Sequence, residues 1–451
     1  MSSSFPQTQT PPWTDRLRVS ITPNRSTDVG TPPLHRVQHL AEALLSARGE
    51  ASGAIVAREL HDDLWSLGAE DRRAFYRFLA ANFRPAADPL RIAAEAYLAD
   101  GSAEAAARLA KTADPPRQEL LRRMNMSPGG TETLVAMRKE LLGHLGHEPA
   151  LKLLDGDLRH LFASWFNRGF LELRRIDWQS PAAVLEKLIA YEAVHEIQGW
   201  DDLRRRLAPD RRCFGFFHPA LPGEPLIFVE VALVQGLAAA VQPLLARDDG
   251  DAQTARARAA RADTAIFYSI SNCQEGLRGV SFGNLLIKQV VEELRAGLPH
   301  LKHFSTLSPV PGFRRWLEKQ IGAGLAPAGL LAPVETASWW QDAARVEAAR
   351  RPLLRLCATY LAGAGGPKES ADPVARFHLS NGARLERVNW LGNVAPRGIQ
   401  ESYGIMVNYL YDPETIEANH EAFAQDGTVV RSPEVDALMV KAASPVGTAA
   451  S

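Results

Sequence analysis

Apolar residues recur at three- and four-residue spacing through most of the first half of the chain. Segments such as HRVQHLAEALLSA, EDRRAFYRFLAANF and TETLVAMRKELLGHL have this period, and it continues through GDLRHLFASWFNRGFLELRRIDW and SPAAVLEKLIAYEAVHEI. Such spacing places the apolar side chains on one face of a helix. Proline and glycine clusters such as DPP and SPGG separate the segments. The pattern predicts an all-helical bundle over residues 35–195.

The pattern changes from about Asp201 onward. RRCFGFFHP and PLIFVEVALV are short β-branched and aromatic runs separated by ALPGE, which predicts a β-hairpin. TAIFYSIS predicts a third strand and LKHFSTLSP a fourth, each followed by a helical pattern, while ARDDGDAQTARARAARADT between the second and third strands predicts a polar insertion with some helix. We therefore expect a domain of mixed sheet and helix over residues 196–442, and an α+β fold of two domains overall.

The two ends of the chain carry neither pattern. Residues 1–34 are rich in Ser, Thr and Pro and lack the apolar core of a signal peptide. We interpret them as a disordered tail, with a transit peptide as the alternative, and residues 443–451 as a frayed C-terminus.

Charge and cysteine content narrow the class of protein. Lys and Arg total 51 against 52 Asp and Glu, so no field of one sign favours a nucleic acid or an anionic membrane. No window approaches the roughly 20 apolar residues of a membrane span. The three cysteines (Cys213, Cys273, Cys357) lack C-x-x-C spacing, and the histidines lack an H-E-x-x-H motif. We expect a cytoplasmic protein, of bacterial type in composition, without a metal.

One glycine-rich stretch, QEGLRGVSFGNLLIKQVVEEL, stands between the third predicted strand and a helix. Free backbone NH groups and the positive end of the dipole make a helix start suitable for an anion, and Gly276, Gly279 and Gly283 let a phosphate approach the backbone. The alternative is a plain strand-to-helix turn. The stretch contains neither G-x-G-x-x-G nor G-x-x-x-x-G-K-S/T, the two common phosphate-binding fingerprints.

The stretch resembles the acyl-coenzyme A signature of the GNAT acetyltransferase superfamily, R/Q-x-x-G-x-G/A between a strand and a helix. Ser281 replaces the usual first glycine of that signature. The resemblance implies that backbone amides of this loop hold the coenzyme A pyrophosphate. The loop residues are Arg278, Gly279, Val280, Ser281, Phe282, Gly283 and Asn284.

A wider resemblance runs from Phe162 through Tyr411. CFGFFHPALPGEPLIFVEVAL, IFYSISNCQEGLRGVSFGNLLIK, FSTLSPVPGF, FHLSNGARLERVNWLGN and RGIQESYGIMVNYLY closely resemble the malonyl-CoA decarboxylase family. The resemblance implies a helical domain that mediates assembly into an oligomer, which we expect to be a tetramer. It also implies a catalytic domain of GNAT type that converts malonyl-CoA to acetyl-CoA and carbon dioxide without metal or added cofactor. It also implies that Ser308 and His378 are catalytic.

The chemistry of these two residues fits that role. Loss of carbon dioxide leaves an enolate, whose charge must be stabilised and whose carbon must be protonated. Ser308 ends a predicted strand, where ligands often bind, although it could instead cap the following helix. An unperturbed histidine has a pKa near about 6.5, so we expect His378 to carry a transferable proton near neutral pH, although it could instead be a core histidine. We expect His378 to protonate the enolate and Ser308 to orient the malonyl carboxylate or thioester.

Other polar residues are weaker candidates for the pocket: Asn381, Asn393, Tyr403, Asn408 and Lys187. Two other functions stay open: an acyl-CoA-dependent N-acyltransferase of GNAT type, and a noncatalytic acyl-CoA sensor or scaffold. The sequence also leaves open whether the reaction serves malonate breakdown or control of fatty-acid synthesis.

Overall fold

The computed structural model describes residues 32–46, 50–246, 251–280, 286–363, 366 and 372–439. The chain divides into two compact units. The first extends to Trp165 and includes Glu275–Val280, while the second comprises Phe166–Gln274 and the chain from Ser281 onward.

The first unit is helical, as the three- and four-residue period predicts. Its core contains fully buried apolar side chains from successive helices, among them Leu60, Phe75, Leu120, Leu134 and Leu158. The helices are α1 (Pro33–Leu45), α2 (Glu50–Ser66), α3 (Ala69–Asn82), α4 (Ala87–Asp100), α5 (Ala103–Ala113), α6 (Pro116–Asn125), α7 (Gly130–His144) and α8 (Lys152–Trp165).

The second unit is built on one mixed sheet, which has eight strands within the described part of the chain. The strand order is β1-β2-β3-β4-β5-β8-β6, and β7 pairs with β8 outside this path. The strands are β1 (Glu172–Ile176), β2 (Arg211–Phe217), β3 (Pro225–Val234), β4 (Thr264–Asn272), β5 (His303–Thr306), β6 (Ser308–Pro309), β7 (Arg384–Asn389) and β8 (Met406–Leu410).

Helices connect the strands of this unit and follow them. They are α9 (Ala182–Tyr191), α10 (Trp200–Arg206), α11 (Gln242–Leu245), α12 (Ala252–Arg261), α13 (Leu286–Gly297), α14 (Phe313–Gly322), α15 (Ala343–Ala362), α16 (Pro373–Ser380), α17 (Pro396–Ser402), α18 (Ile416–Asp426) and α19 (Pro433–Met439).

The centre of the sheet confirms the predicted hairpin and the two strands after it. β2 and β3 pair antiparallel, and β3 is buried along nearly its whole length. β4 and β5 pair parallel, a geometry that requires a crossover connection. α13 lies in this connection, so the α+β class of this unit is confirmed.

The edge of the sheet differs from the prediction. The helical period was expected to continue past Trp165, but β1 pairs antiparallel with β2, from Glu172 opposite Phe217 to Ile176 opposite Cys213. That part of the helical prediction is wrong, because an adjacent strand supplies backbone hydrogen bonds that override a local apolar pattern. The sequence also missed β7 and β8.

The position of β1 at the edge of the sheet also determines where the sheet unit begins along the chain. β1 and α9 belong to the sheet unit, since Ile176, Val184 and Leu188 share a core with Phe228 of β3. The sheet unit therefore begins at Phe166, whereas the sequence places the boundary at residue 195. None of the described helices combines the length and apolar character needed to cross a bilayer.

Candidate active site

The sheet unit brings Ser308 and His378 together. Ser308 lies in β6, opposite Val407 of β8, and His378 lies in the last turn of α16. Ser308 Oγ is 3.0 Å from His378 Nε2. The residues are 5% and 3% exposed, respectively, so they form a desolvated hydrogen-bonded pair.

Two further hydroxyl groups extend this pair. The Tyr411 hydroxyl lies 2.8 Å from His378 Nδ1, and Ser308 Oγ donates to Thr306 Oγ1 at 2.9 Å. Sequence reasoning missed both partners. The period of two along a strand was an available signal, because Thr306 and Ser308 alternate in FSTLS, as Tyr409 and Tyr411 do in NYLY.

Neighbouring groups restrict the movement of the pair. The ring of Tyr409 stacks on His378 with centroids 4.8 Å apart and an interplanar angle of 24°. The Tyr409 amide donates to Thr306 Oγ1 at 3.2 Å, and Asn408 Nδ2 donates to the Thr306 carbonyl at 2.7 Å. Each side of the Ser308–His378 contact is therefore attached to β8.

Burial sets the charge state of the histidine. Desolvation lowers the pKa of His378 to about 3, so the ring is neutral near pH 7 in the free protein. The expectation of an ordinary pKa near 6.5 is therefore wrong for this state. Burial also raises the pKa of Tyr411 well above its usual value, which keeps its hydroxyl protonated.

The hydrogen bonds are consistent with one tautomer. Because Ser308 donates to Thr306, its oxygen is free to accept from the Nε2–H of His378. Nδ1 then accepts from the Tyr411 hydroxyl. The tautomer follows from the network rather than from observed hydrogen atoms. The result is an uncharged series of three hydrogen bonds, in which Tyr411 donates to His378, His378 to Ser308, and Ser308 to Thr306.

The contacts exclude the alternative role considered for Ser308 but not the one considered for His378. Gly312 precedes α14, and no side-chain hydrogen bond caps that helix, so Ser308 is not its cap. His378 is buried and both of its ring nitrogens face hydroxyl groups, which are contacts that a core histidine would also make.

The glycine-rich loop is described only in part. Gly279 has φ of +76°, a conformation that favours glycine. The carbonyls of Gly276 and Arg278 accept from the buried Arg138 guanidinium of α7 at 2.6 and 2.9 Å. A Cβ on Gly276 would lie 2.0 Å from the Val135 carbonyl oxygen, so this glycine is required for packing. Sequence reasoning missed the role of Arg138.

Only three of the seven predicted loop residues lie in the described part of the chain. Arg278, Gly279 and Val280 are described and belong to the helical unit. The other four predicted residues lie outside the described part of the chain: Ser281, Phe282, Gly283 and Asn284.

The weaker candidates have structural partners. Asn381 donates to the Phe377 carbonyl at the end of α16, and Asn393 Oδ1 accepts from the Ala395 amide. Lys187 donates to the Gly223 carbonyl in the turn between β2 and β3, and also pairs with Glu224.

Asn408 belongs to the network around β8 described above, and Arg314 lies over the Tyr403 ring at 5.1 Å. Among the described residues, no three His, Cys, Asp or Glu side chains are grouped as metal ligands would be.

These features first define the class of protein: an α+β protein with a helical unit and a mixed-sheet unit, the second of which holds a buried serine–histidine pair. Family models then specify the family. The model of the malonyl-CoA decarboxylase C-terminal domain matches residues 169–449, and that of the N-terminal domain matches residues 83–166. The chain belongs to the malonyl-CoA decarboxylase family, and its relatives are carboxy-lyases by name.

Individual relatives agree with this assignment. The chain is 39% identical over 337 residues to malonyl-CoA decarboxylase, mitochondrial, of Anser anser anser, an alignment that spans 68% of this chain and 66% of that protein. The crystal structure of malonyl-CoA decarboxylase from Rhodopseudomonas palustris is 49% identical, with a TM-score of 0.84, over 90% of this chain and 99% of that one. The Agrobacterium vitis structure is 50% identical, with a TM-score of 0.82, over 90% and 100%.

Proposed function

We propose that this chain decarboxylates malonyl-CoA to acetyl-CoA and carbon dioxide. The observation that supports this most is the buried contact between Ser308 and His378, with Tyr411 on the far ring nitrogen. This arrangement supplies hydrogen-bond donors for an enolate and a titratable group to protonate it, the two things that the reaction requires.

The proposed reaction begins with binding of the malonyl carboxylate beside Ser308. A nearby negative charge favours the imidazolium form, so substrate raises the pKa of His378 and the ring takes up a proton from solvent. The position of His378 in the last turn of α16 acts in the same direction, because the C-terminal end of a helix is partially negative.

Bond breaking then follows. The bond between the carboxyl carbon and the α-carbon breaks, carbon dioxide leaves, and the electron pair forms the enolate of acetyl-CoA. Ser308 orients the carboxylate or the thioester oxygen. His378 then delivers its Nε2 proton to the α-carbon and returns to the neutral form. The reaction consumes one proton overall, and its groups all come from the chain and the substrate.

The glycine-rich loop is the proposed site for the coenzyme A pyrophosphate. Support comes from the left-handed conformation of Gly279, which turns the backbone ahead of α13, and from the family signature over Arg278 to Asn284. In this proposal the loop binds the coenzyme A moiety of the substrate, and Ser308 and His378 carry out the reaction.

Release of acetyl-CoA tests the proposed function directly. Purified protein is incubated with malonyl-CoA and no acceptor, and acetyl-CoA and carbon dioxide are measured. We expect both in equal amounts, and a large loss of kcat in Ser308→Ala and His378→Asn. Product that forms only after an amine is added would favour an N-acyltransferase instead. Full turnover in both variants would contradict the assigned pair.

We also propose that the chain forms a homo-oligomer, with a tetramer as the expected form. The supporting observation is α4, in which none of the described residues is buried and which packs mainly on α5. Ile92 and Leu98 of α4 are 59% and 83% exposed, an apolar face that a second copy of the chain would cover. A cytoplasmic location is proposed from the three free, buried cysteines.

A further inference from the structure

Asp372 is a fully buried carboxylate outside the hydrogen-bonded chain of the active site. Its Oδ1 accepts from the amides of Val374 and Ala375 at 3.0 and 3.1 Å, which makes it the N-cap of α16. Its Oδ2 accepts from the Gly312 amide at 3.0 Å and faces the Tyr360 hydroxyl at 3.5 Å. One carboxylate therefore bonds to two separate parts of the sheet unit.

These two parts carry the catalytic pair. α16 contains His378, and the segment 308–312 begins with Ser308 and ends with Gly312. Pro309 and Pro311 lie within that segment, and each fixes its own φ, so the connection from Ser308 to Gly312 is stiff. A shift of the Gly312 amide is consequently passed on to Ser308.

The packing around Gly312 is tight. A Cβ at this position would lie 2.2 Å from the Tyr360 hydroxyl and 3.2 Å from Asp372 Oδ2. The carboxylate is held by backbone amides, and burial raises its pKa. The geometry of the contact, rather than the charge alone, distinguishes Asp372 from an ordinary helix cap.

We propose that Asp372 is a positioning residue for the catalytic pair: it holds the Ser308 segment and the His378 helix in register, so that Oγ and Nε2 stay within hydrogen-bond distance. The role in turnover rests on the proposed decarboxylation, whereas the role in geometry does not. A misplacement of about 1 Å can cost on the order of 100-fold in rate, so the effect belongs to kcat.

Two substitutions separate positioning from helix capping. Asp372→Asn keeps one oxygen for the α16 amides but presents an NH₂ group to the Gly312 amide. Asp372→Ser keeps a good N-cap and is too short to reach Gly312. The matched control is Asp342→Asn, at the exposed N-cap of α15, where the carboxylate accepts from the amides of Ala344 and Arg345 and pairs with the exposed Arg345 side chain of the same helix.

We expect both Asp372 variants to lose about 10- to 100-fold in kcat while KM for malonyl-CoA changes less than about twofold. Asp342→Asn should leave both constants unchanged. Crystal structures of wild type and Asp372→Ser supply the second readout, in which we expect the Oγ–Nε2 distance to exceed hydrogen-bond range in the variant. If Asp372→Asn fails to fold, the measurements on Asp372→Ser test the proposal.

An unchanged kcat, or an unchanged Oγ–Nε2 distance, in a folded Asp372→Ser would overturn the proposal and leave Asp372 as a helix cap. If wild type releases no acetyl-CoA, the proposed function fails, and the crystallographic distance still tests the positioning role.

Discussion

Replacing Tyr411 with Phe tests whether the hydrogen bond at Nδ1 determines the state of His378. The substitution removes the hydroxyl that lies 2.8 Å from Nδ1 and keeps the aromatic ring. His378 is only 3% exposed, so bulk solvent does not readily replace the lost partner. The tautomer with its proton on Nε2 then loses its main support.

The size of the effect follows from burial. A buried polar group left without its partner costs about 1–3 kcal/mol. We expect the free energy of unfolding of Tyr411→Phe to fall by that amount. If the same loss is expressed in the transition state, kcat falls about 5- to 150-fold, since about 1.4 kcal/mol corresponds to a factor of ten.

The assay combines urea unfolding with steady-state kinetics on malonyl-CoA. The matched control is Tyr268→Phe, because Tyr268 is equally buried in the sheet unit and its hydroxyl has no hydrogen-bond partner among the described residues. We expect the control to retain stability and kcat. The reasoning is refuted if Tyr411→Phe behaves like Tyr268→Phe in both measurements.

The remaining predictions concern pH, the loop and assembly. Burial lowers the pKa of His378 to about 3, so the unfolded chain takes up that proton first as pH falls. Urea unfolding should therefore show stability falling below about pH 6.5, and the slope should be smaller in His378→Asn by at most about 1.4 kcal/mol per pH unit, the limit for one group. Arg138→Ala removes both contacts to the loop carbonyls, so KM for malonyl-CoA should rise about tenfold. It also leaves the buried Asp155 without its ion-pair partner, so the free energy of unfolding should fall by about 3–5 kcal/mol. The control Lys139→Ala, at an exposed position, should change neither quantity. Leu98→Glu should lower the mass measured by light scattering, and an unchanged mass would count against α4 as the assembly surface.

The strands that could be predicted are those with strong local patterns. β3 is an almost unbroken apolar run, and burial on both faces is what such a run indicates. β1 has the sequence ELRRI, with a single buried residue at its end, and contains no comparable signal. Its strand conformation depends on pairing with β2, which is distant in sequence, so local propensity was bound to miss it.

In the candidate site, too, some residues could be predicted from local sequence and others depend on contacts between distant segments. Ser308 and His378 could be named from their motifs, and the resemblance implied their roles. The partners Thr306 and Tyr411 were missed, and Tyr411 comes near the pair only because β8 pairs with β5 and β6. Asp372 was not a candidate from the sequence, because its contact with Gly312 joins two segments that are 60 residues apart.

The sequence by itself determined the helices up to Trp165, the central strands, the balance of positive and negative charge, and the family, because these depend on local periodicity, composition and motif. Only the tertiary structure decided that Ser308 and His378 lie 3.0 Å apart, that Tyr411 completes their chain, and that the histidine is neutral in the free protein. Distances between remote residues and desolvation are properties of packing. A pKa near 6.5 is a property of the imidazole in water, and burial in this fold changed it.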